Sequence, residues 1–243
     1  MKSICIGVIV TVFGIAHHLN AQTKVSPEQL ARIDFFEESG VFSTINIGRT
    51  LDPYPNYPFI DSPFLYSWEY TQGNLSYDGK LYEQVYLNLN VHKEQLSLQN
   101  RDESGRKILV ELDPLLVDYF ELKGEKFIYY DASQGLWGIP TGFYAVLHQG
   151  PMTLLCRTFK EYKESIVDYK IVRSFFTTQS YFLVSNETVF RLTGEKSLLK
   201  VMGPYQKEVR KLIKAEHLKF RRPQDNPGKA YAACISYFET LRR

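Results

Sequence analysis

The sequence predicts an α+β, mainly β fold: an antiparallel meander, rolled or stacked as a sandwich, with a short N-terminal helix and C-terminal helices packed on it. Three observations predict it. From Tyr66 to about Leu192, apolar side chains recur with a period of two between short turns. From Leu198 onward the spacing becomes helical. The chain also carries 17 Tyr and 16 Phe among 243 residues, and aromatic rings suit pleated surfaces.

The elements follow in order. Lys2 precedes an apolar stretch, Ile4 to Ala16, which gives way to the polar run His17 to Gln22 with small Ala21 before the expected cut. The pattern predicts a secretory signal peptide over residues 1–21. The stretch is too short for a bilayer core, which takes roughly 20 apolar residues. Cys5 lies inside the stretch rather than at its exit. No second apolar run of spanning length follows, so the mature chain is expected to have no transmembrane span and to work in the periplasm or at the cell surface.

Residues 22–72 form the next region. Ser26, Pro27 and Gln29 make a helix start with a capping box. Leu30, Ile33 and Phe36 then share one face, and Ser39-Gly40 ends the helix. Four prolines within 51–64 forbid helix and predict an extended strap carrying aromatic side chains.

The β domain is expected over 73–194. Val85, Leu87, Leu89 and Val91 alternate with Gln84, Tyr86, Asn88 and Asn90. The turn His92-Lys93-Glu94 leads to Leu96-Ser97-Leu98. Ile108, Val110 and Leu112 alternate again, and Phe127–Tyr130, Phe143–Leu147 and Leu154–Phe159 are further short runs between glycines. Ser185-Asn186-Glu187 is a hairpin turn between two apolar runs. Eight to ten antiparallel strands result. Over 195–243, Leu198, Leu199 and Met202, then Val209, Leu212 and Ile213, then Tyr231, Cys234, Ile235, Phe238 and Leu241 mark three amphipathic helices.

The formal charge is +2, and removal of Lys2 leaves +2 − 1 = +1. A dedicated nucleic-acid binder needs a basic surface, so that class is set aside. Cys156 and Cys234 remain after cleavage, each in an apolar neighbourhood typical of a small buried hydrophobe. Spacing leaves open whether they pair.

No motif points to catalysis. His92, His148 and His217 are isolated, without metal-ligand spacing, so no metal or cofactor is expected. No nucleophile elbow or glycine-rich phosphate loop occurs. The acids Asp78, Glu83, Glu111, Asp113 and Asp118 lie near strands and are the candidates for a paired-carboxylate hydrolase. Asn74-Leu75-Ser76 and Asn186-Glu187-Thr188 match the glycosylation acceptor pattern.

Two features suggest binding. Trp68, Tyr70, Tyr77, Tyr82 and Trp137 form the densest aromatic set, and such rings give rigid, amphipathic contact area. The basic stretch Lys207, Arg210, Lys211, Lys214, Lys219, Arg221 and Arg222 is suited to an anionic membrane surface or an acidic partner.

The export signal running into Ala21-Gln22, the block Leu75 to Leu89 and the ending Lys207 to Lys214 resemble secreted envelope proteins of Bacteroidota bacteria. The resemblance implies an envelope location in a diderm cell and carries no functional residues. The sequence therefore points to an exported, non-catalytic envelope protein that binds a protein partner or an envelope component. The alternatives are a secreted hydrolase acting on glycan or peptide, and a structural subunit of an outer-membrane assembly.

Overall fold

A computed structural model describes residues 49–51, 61–101, 104–134, 138–167, 169–186, 188–222 and 225–242. The expected signal peptide, the helix after Ser26 and most of the strap lie outside them.

Among the described residues, eleven strands form one antiparallel sheet. They are β1 (Arg49–Thr50), β2 (Thr71–Tyr77), β3 (Lys80–Asn90), β4 (Gln95–Arg101), β5 (Lys107–Glu111) and β6 (Val117–Leu122). β7 (Glu125–Tyr130), β8 (Gly142–Gln149), β9 (Thr153–Val167), β10 (Lys170–Ser185) and β11 (Thr188–Leu192) complete it. Tight hairpins form where the sequence supplies left-handed residues: Asp78-Gly79 (φ 51° and 71°) joins β2 to β3, and Lys123-Gly124 (φ 52° and 78°) joins β6 to β7.

The order across the sheet is β1-β5-β4-β3-β2-β6-β7-β8-β9-β10-β11. It consists of two meanders joined at a β2–β6 seam, rather than one continuous meander. The link is Leu112 to Leu116, which crosses the ends of β4, β3 and β2. Leu112 donates to the Leu96 carbonyl at 3.0 Å, and the Asp113 amide donates to the Tyr77 hydroxyl at 3.3 Å. The link holds a 3-10 turn, Pro114–Leu116, closed by the Leu116 amide on the Asp113 carbonyl at 3.1 Å, and the Asp78 amide donates to the Leu116 carbonyl at 2.8 Å.

Five steps separate β3 from β9. At roughly 20–25° of twist per step, the far ends rotate by about 100–125°. The β3–β4 turn accordingly meets β9: the His92 imidazole Nδ1 lies 2.9 Å from the Lys160 carbonyl, and Arg157 pairs with Glu94 at 2.6 Å.

Three helices follow: α1 (Glu195–Val201), α2 (Gln206–Ala215) and α3 (Pro227–Leu241). Asn226 caps α3, accepting from the Lys229 amide at 3.2 Å, and Pro227 fills the first turn. Ala230, Tyr231, Cys234, Ile235 and Phe238 form its buried face and join Leu154, Tyr181 and Leu183 of the sheet in one core. A Cβ on Gly228 would lie 2.6 Å from a Leu147 methyl and 3.3 Å from the Tyr181 ring, so the missing side chain sets the helix close to the sheet. A smaller cluster, Tyr130, Ile139, Tyr144, Leu155 and Phe182, forms a second buried group.

Candidate functional site

The residues from Phe64 to Tyr70 lie along β3 and divide the expected aromatic set. Phe64 bridges to Asn90, and the Leu65 amide donates to the Leu89 carbonyl at 2.8 Å. The Asn88 amide reaches the Ser67, Trp68 and Glu69 carbonyls, tying this segment to the strand. Trp68 stands 41% exposed, edge-on to Phe64 at 5.5 Å. Tyr70 is half-buried, its hydroxyl 2.9 Å from that of Ser97. Tyr77 is 1% exposed and serves the core, so it offers no recognition surface. Tyr82 is half-buried against the same core. Trp137 lies outside the described residues. Burial of the apolar ring outweighs its use as a contact at Tyr77, because that position faces the core side of β2.

The acids near strands hold local structure. Asp118 accepts from the Ser76 hydroxyl at 2.8 Å and the Gly79 amide at 3.1 Å, which fixes the β2–β3 turn. Asp113 accepts from the Leu115 amide at 3.0 Å. Glu111 accepts from Gln95 at 2.7 Å, whereas Glu83 and Asp78 are exposed. Asn74 uses both ends of its amide, toward Glu121 at 3.1 Å and the Gln84 amide at 3.3 Å. Cys156 and Cys234 are both buried free thiols, and burial pushes each up to about 12. A thiol held so far from its thiolate is a packing group. Among the described residues no group of three or more His, Cys, Asp or Glu is placed to hold a metal ion. Among them, too, no helix is long and apolar enough to cross a membrane.

The structure adds a site that period-two reading missed. β8 stops pairing with β9 at Cys156, and β11 stops pairing with β10 at Tyr181. β9 and β10 nevertheless continue together to the Val167–Lys170 pair. The result is a two-stranded ribbon over residues 157–180, about 35 Å long at 3.3 Å per residue. Its base is anchored. Lys160 is buried, and its ammonium donates to the Ser62 carbonyl at 2.8 Å and to that of Phe64. Burial lowers the pKa of this ammonium. The His92 ring packs against Phe175 at 5.3 Å.

Beyond that base, every described side chain from Glu161 to Ile171 is exposed. Glu164 and Arg173 pair across the strands at 2.8 Å, with the Tyr162 hydroxyl in the same cluster. At the tip, Ile166 and Ile171 are direct cross-strand partners, 77% and 53% exposed, and Val167 and Tyr169 stand beside them in solvent.

The chain matches no family model, no curated protein and no solved structure.

The basic stretch also divides. Arg210, Lys219, Arg221 and Arg222 line a groove shared with Lys196 and Lys200 of α1, whereas Lys207, Lys211 and Lys214 lie on α2 outside it. Lys196 and Lys200 stand four residues apart, the interval that places two side chains on one helix face. That interval marks a shared helix face in the sequence, while their placement beside Arg210 and Lys219 comes from packing.

Proposed function

We propose that the chain is an exported, non-catalytic envelope protein that holds a protein partner through the tip of the β9–β10 ribbon. The observation that carries this reading is the pairing of Ile166 with Ile171, flanked by Val167 and Tyr169, at the end of a ribbon that projects past its sheet. Water-facing apolar side chains gain nothing for the fold where they stand. Each gains about 1.5–3 kcal/mol when a partner's pocket buries it. A two-stranded ribbon also presents backbone donors and acceptors on its outer edges, and a partner strand can pair with them. The charged residues between base and tip, Glu161, Lys163, Glu164 and Arg173, keep the ribbon soluble and bias it toward a specific partner over random pairing. Export is supported by the charge, apolar core and small-residue exit of residues 1–21.

Crosslinking in intact cells, followed by purification and mass spectrometry, tests the reading. A stoichiometric envelope protein is expected with the native chain. It is lost when Ile166→Asp and Tyr169→Asp are combined, while thermal stability is unchanged. Retention of the same partner by the double variant sinks the proposal. So does an N-terminus that is never processed in the producing cell.

A further inference from the structure

The groove between α1, α2 and the segment after α2 has a volume of about 1010 Å³, the upper end of the range of small-molecule sites. Its wall carries Lys196, Lys200, Arg210, Lys219, Arg221 and Arg222. The acids on the same lining are Glu195 and Asp225, giving a formal charge of 6 − 2 = +4. Both acids are engaged: Glu195 stands 3.8 Å from Arg210, and Asp225 accepts from the Arg222 amide at 3.2 Å. The whole chain carries +2, so this one concavity holds more than the net charge of the protein. Cations converge here although they repel one another, and a bound polyanion relieves that repulsion.

The floor differs from the wall. Leu199 and Phe220 are buried residues whose edges line the groove, and half-buried Leu218 lies between the two cationic segments. Arginine forks and lysine ammonium groups match phosphate oxygens, while apolar carbon on the floor matches a hydrocarbon portion.

We infer that this groove binds a phosphate-bearing amphiphile, its phosphate against Lys196, Lys200 and Arg221 and its apolar part over Leu199, Leu218 and Phe220. The inference is independent of the ribbon, which belongs to β9 and β10. The ligand's source is either a membrane lipid headgroup or a soluble phosphate ester with an apolar tail.

The test titrates the full processed chain with short-chain phosphatidic acid below its micellar concentration, and separately with inorganic pyrophosphate. Flotation uses phosphatidylcholine vesicles with and without phosphatidylglycerol. One variant combines Lys196→Glu, Lys200→Glu and Arg221→Glu. A control combines Lys207→Glu, Lys211→Glu and Lys214→Glu, the same charge change outside the groove. All six positions are exposed, so folding is expected to survive in both, as circular dichroism would record.

The soluble lipid is expected to bind, pyrophosphate to bind more weakly, and the groove variant to lose roughly tenfold or more in affinity. The control is expected to stay within about twofold, because exposed charges outside the groove act only through screened, longer-range fields. Groove-dependent flotation with phosphatidylglycerol assigns the ligand to the membrane. Binding of the soluble lipid without flotation assigns it to a soluble ester, and both results uphold the site. Failure to bind the lipid, equal loss in the two variants, or pyrophosphate binding as tight as the lipid's overturns it.

Discussion

The Glu94 carboxylate occupies the space where Gly142 lacks a side chain: a Cβ there would lie 2.2 Å from Oε2, while Oε1 pairs with Arg157 at 2.6 Å. One carboxylate thus ties the β3–β4 turn to β9 and packs against the start of β8. Burial raises the Glu94 pKa, against the pull of Arg157. Gly142→Ala should expel Glu94 and leave Arg157 without its partner, costing about 2–4 kcal/mol in urea unfolding. In a Glu94→Ala background the same substitution should cost clearly less. Additive losses would show that the two positions are uncoupled.

Gly73 pairs with both Val85 and Leu122, and a Cβ there would lie 2.0 Å from the Glu121 carbonyl oxygen. Backbone cannot yield as a side chain can. Gly73→Ala is expected to destabilise by about 2 kcal/mol or more, and a midpoint unchanged from the native chain would disprove the close approach.

Lys160 holds the ribbon's base through the Ser62 and Phe64 carbonyls. Lys160→Met keeps the stem but leaves those oxygens without this donor, at a cost of about 1–3 kcal/mol. The ribbon should loosen with it. Faster amide exchange at Phe159 and Phe175, with exchange in β2 and β6 unaltered, is the expected signature.

Ribbon amides should separate by position in hydrogen exchange of the isolated chain. Lys163 to Val167 and Lys170 to Ser174 are expected to exchange fast, because the bonds between these two strands lie near solvent. Leu154, Cys156, Tyr181 and Leu183 are expected to exchange slowest, being in the core. Uniform protection along β9 would refute the projection.

Alkaline pH should unfold the protein in a defined direction. Burial raises Cys156 and Cys234 from 9.0, and Tyr231 from 10.0, to about 12 each, and raises Tyr66, Tyr144 and Tyr181 as well. The folded state then keeps protons that the unfolded chain has released. The associated stability is complete below pH 9 and is lost as pH climbs toward 12. Urea midpoints measured along that range should fall steadily, and the thiols should resist labelling until unfolding. Thiols that react at neutral pH in the folded protein would contradict it.

Alternation was legible where a strand has one oily face, as with Ile108 and Val110 of β5. β7 to β10 depart from that rule, because both of their faces carry buried side chains: Leu154 and Cys156 join one cluster and Leu155 the other. Asn88 and Asn90 broke it too: they occupy positions read as solvent-facing, yet both are buried under the segment that Asn88 ties down. The ribbon was illegible for the opposite reason. With no core beneath it, Glu161 to Lys170 has no face to keep apolar, and alternation disappears. Charge grouping followed the run from Lys207 to Arg222, whereas the groove draws Lys196 and Lys200 from a different helix, a juxtaposition that exists only after packing. The β2–β6 seam was likewise hidden, since no local pattern announces a strand's second neighbour.

That seam has a kinetic consequence. During synthesis the segments of β2 to β5 emerge first and can zip by neighbouring turns, leaving one flank of β2 unpaired. Its mate β6 is delivered only about forty residues after β2, and loop closure over that separation is slower than a hairpin's. The nascent first half therefore spends time with a naked flank, so holdase capture or self-association should strike there, before the barrier-crossing event that unites the halves.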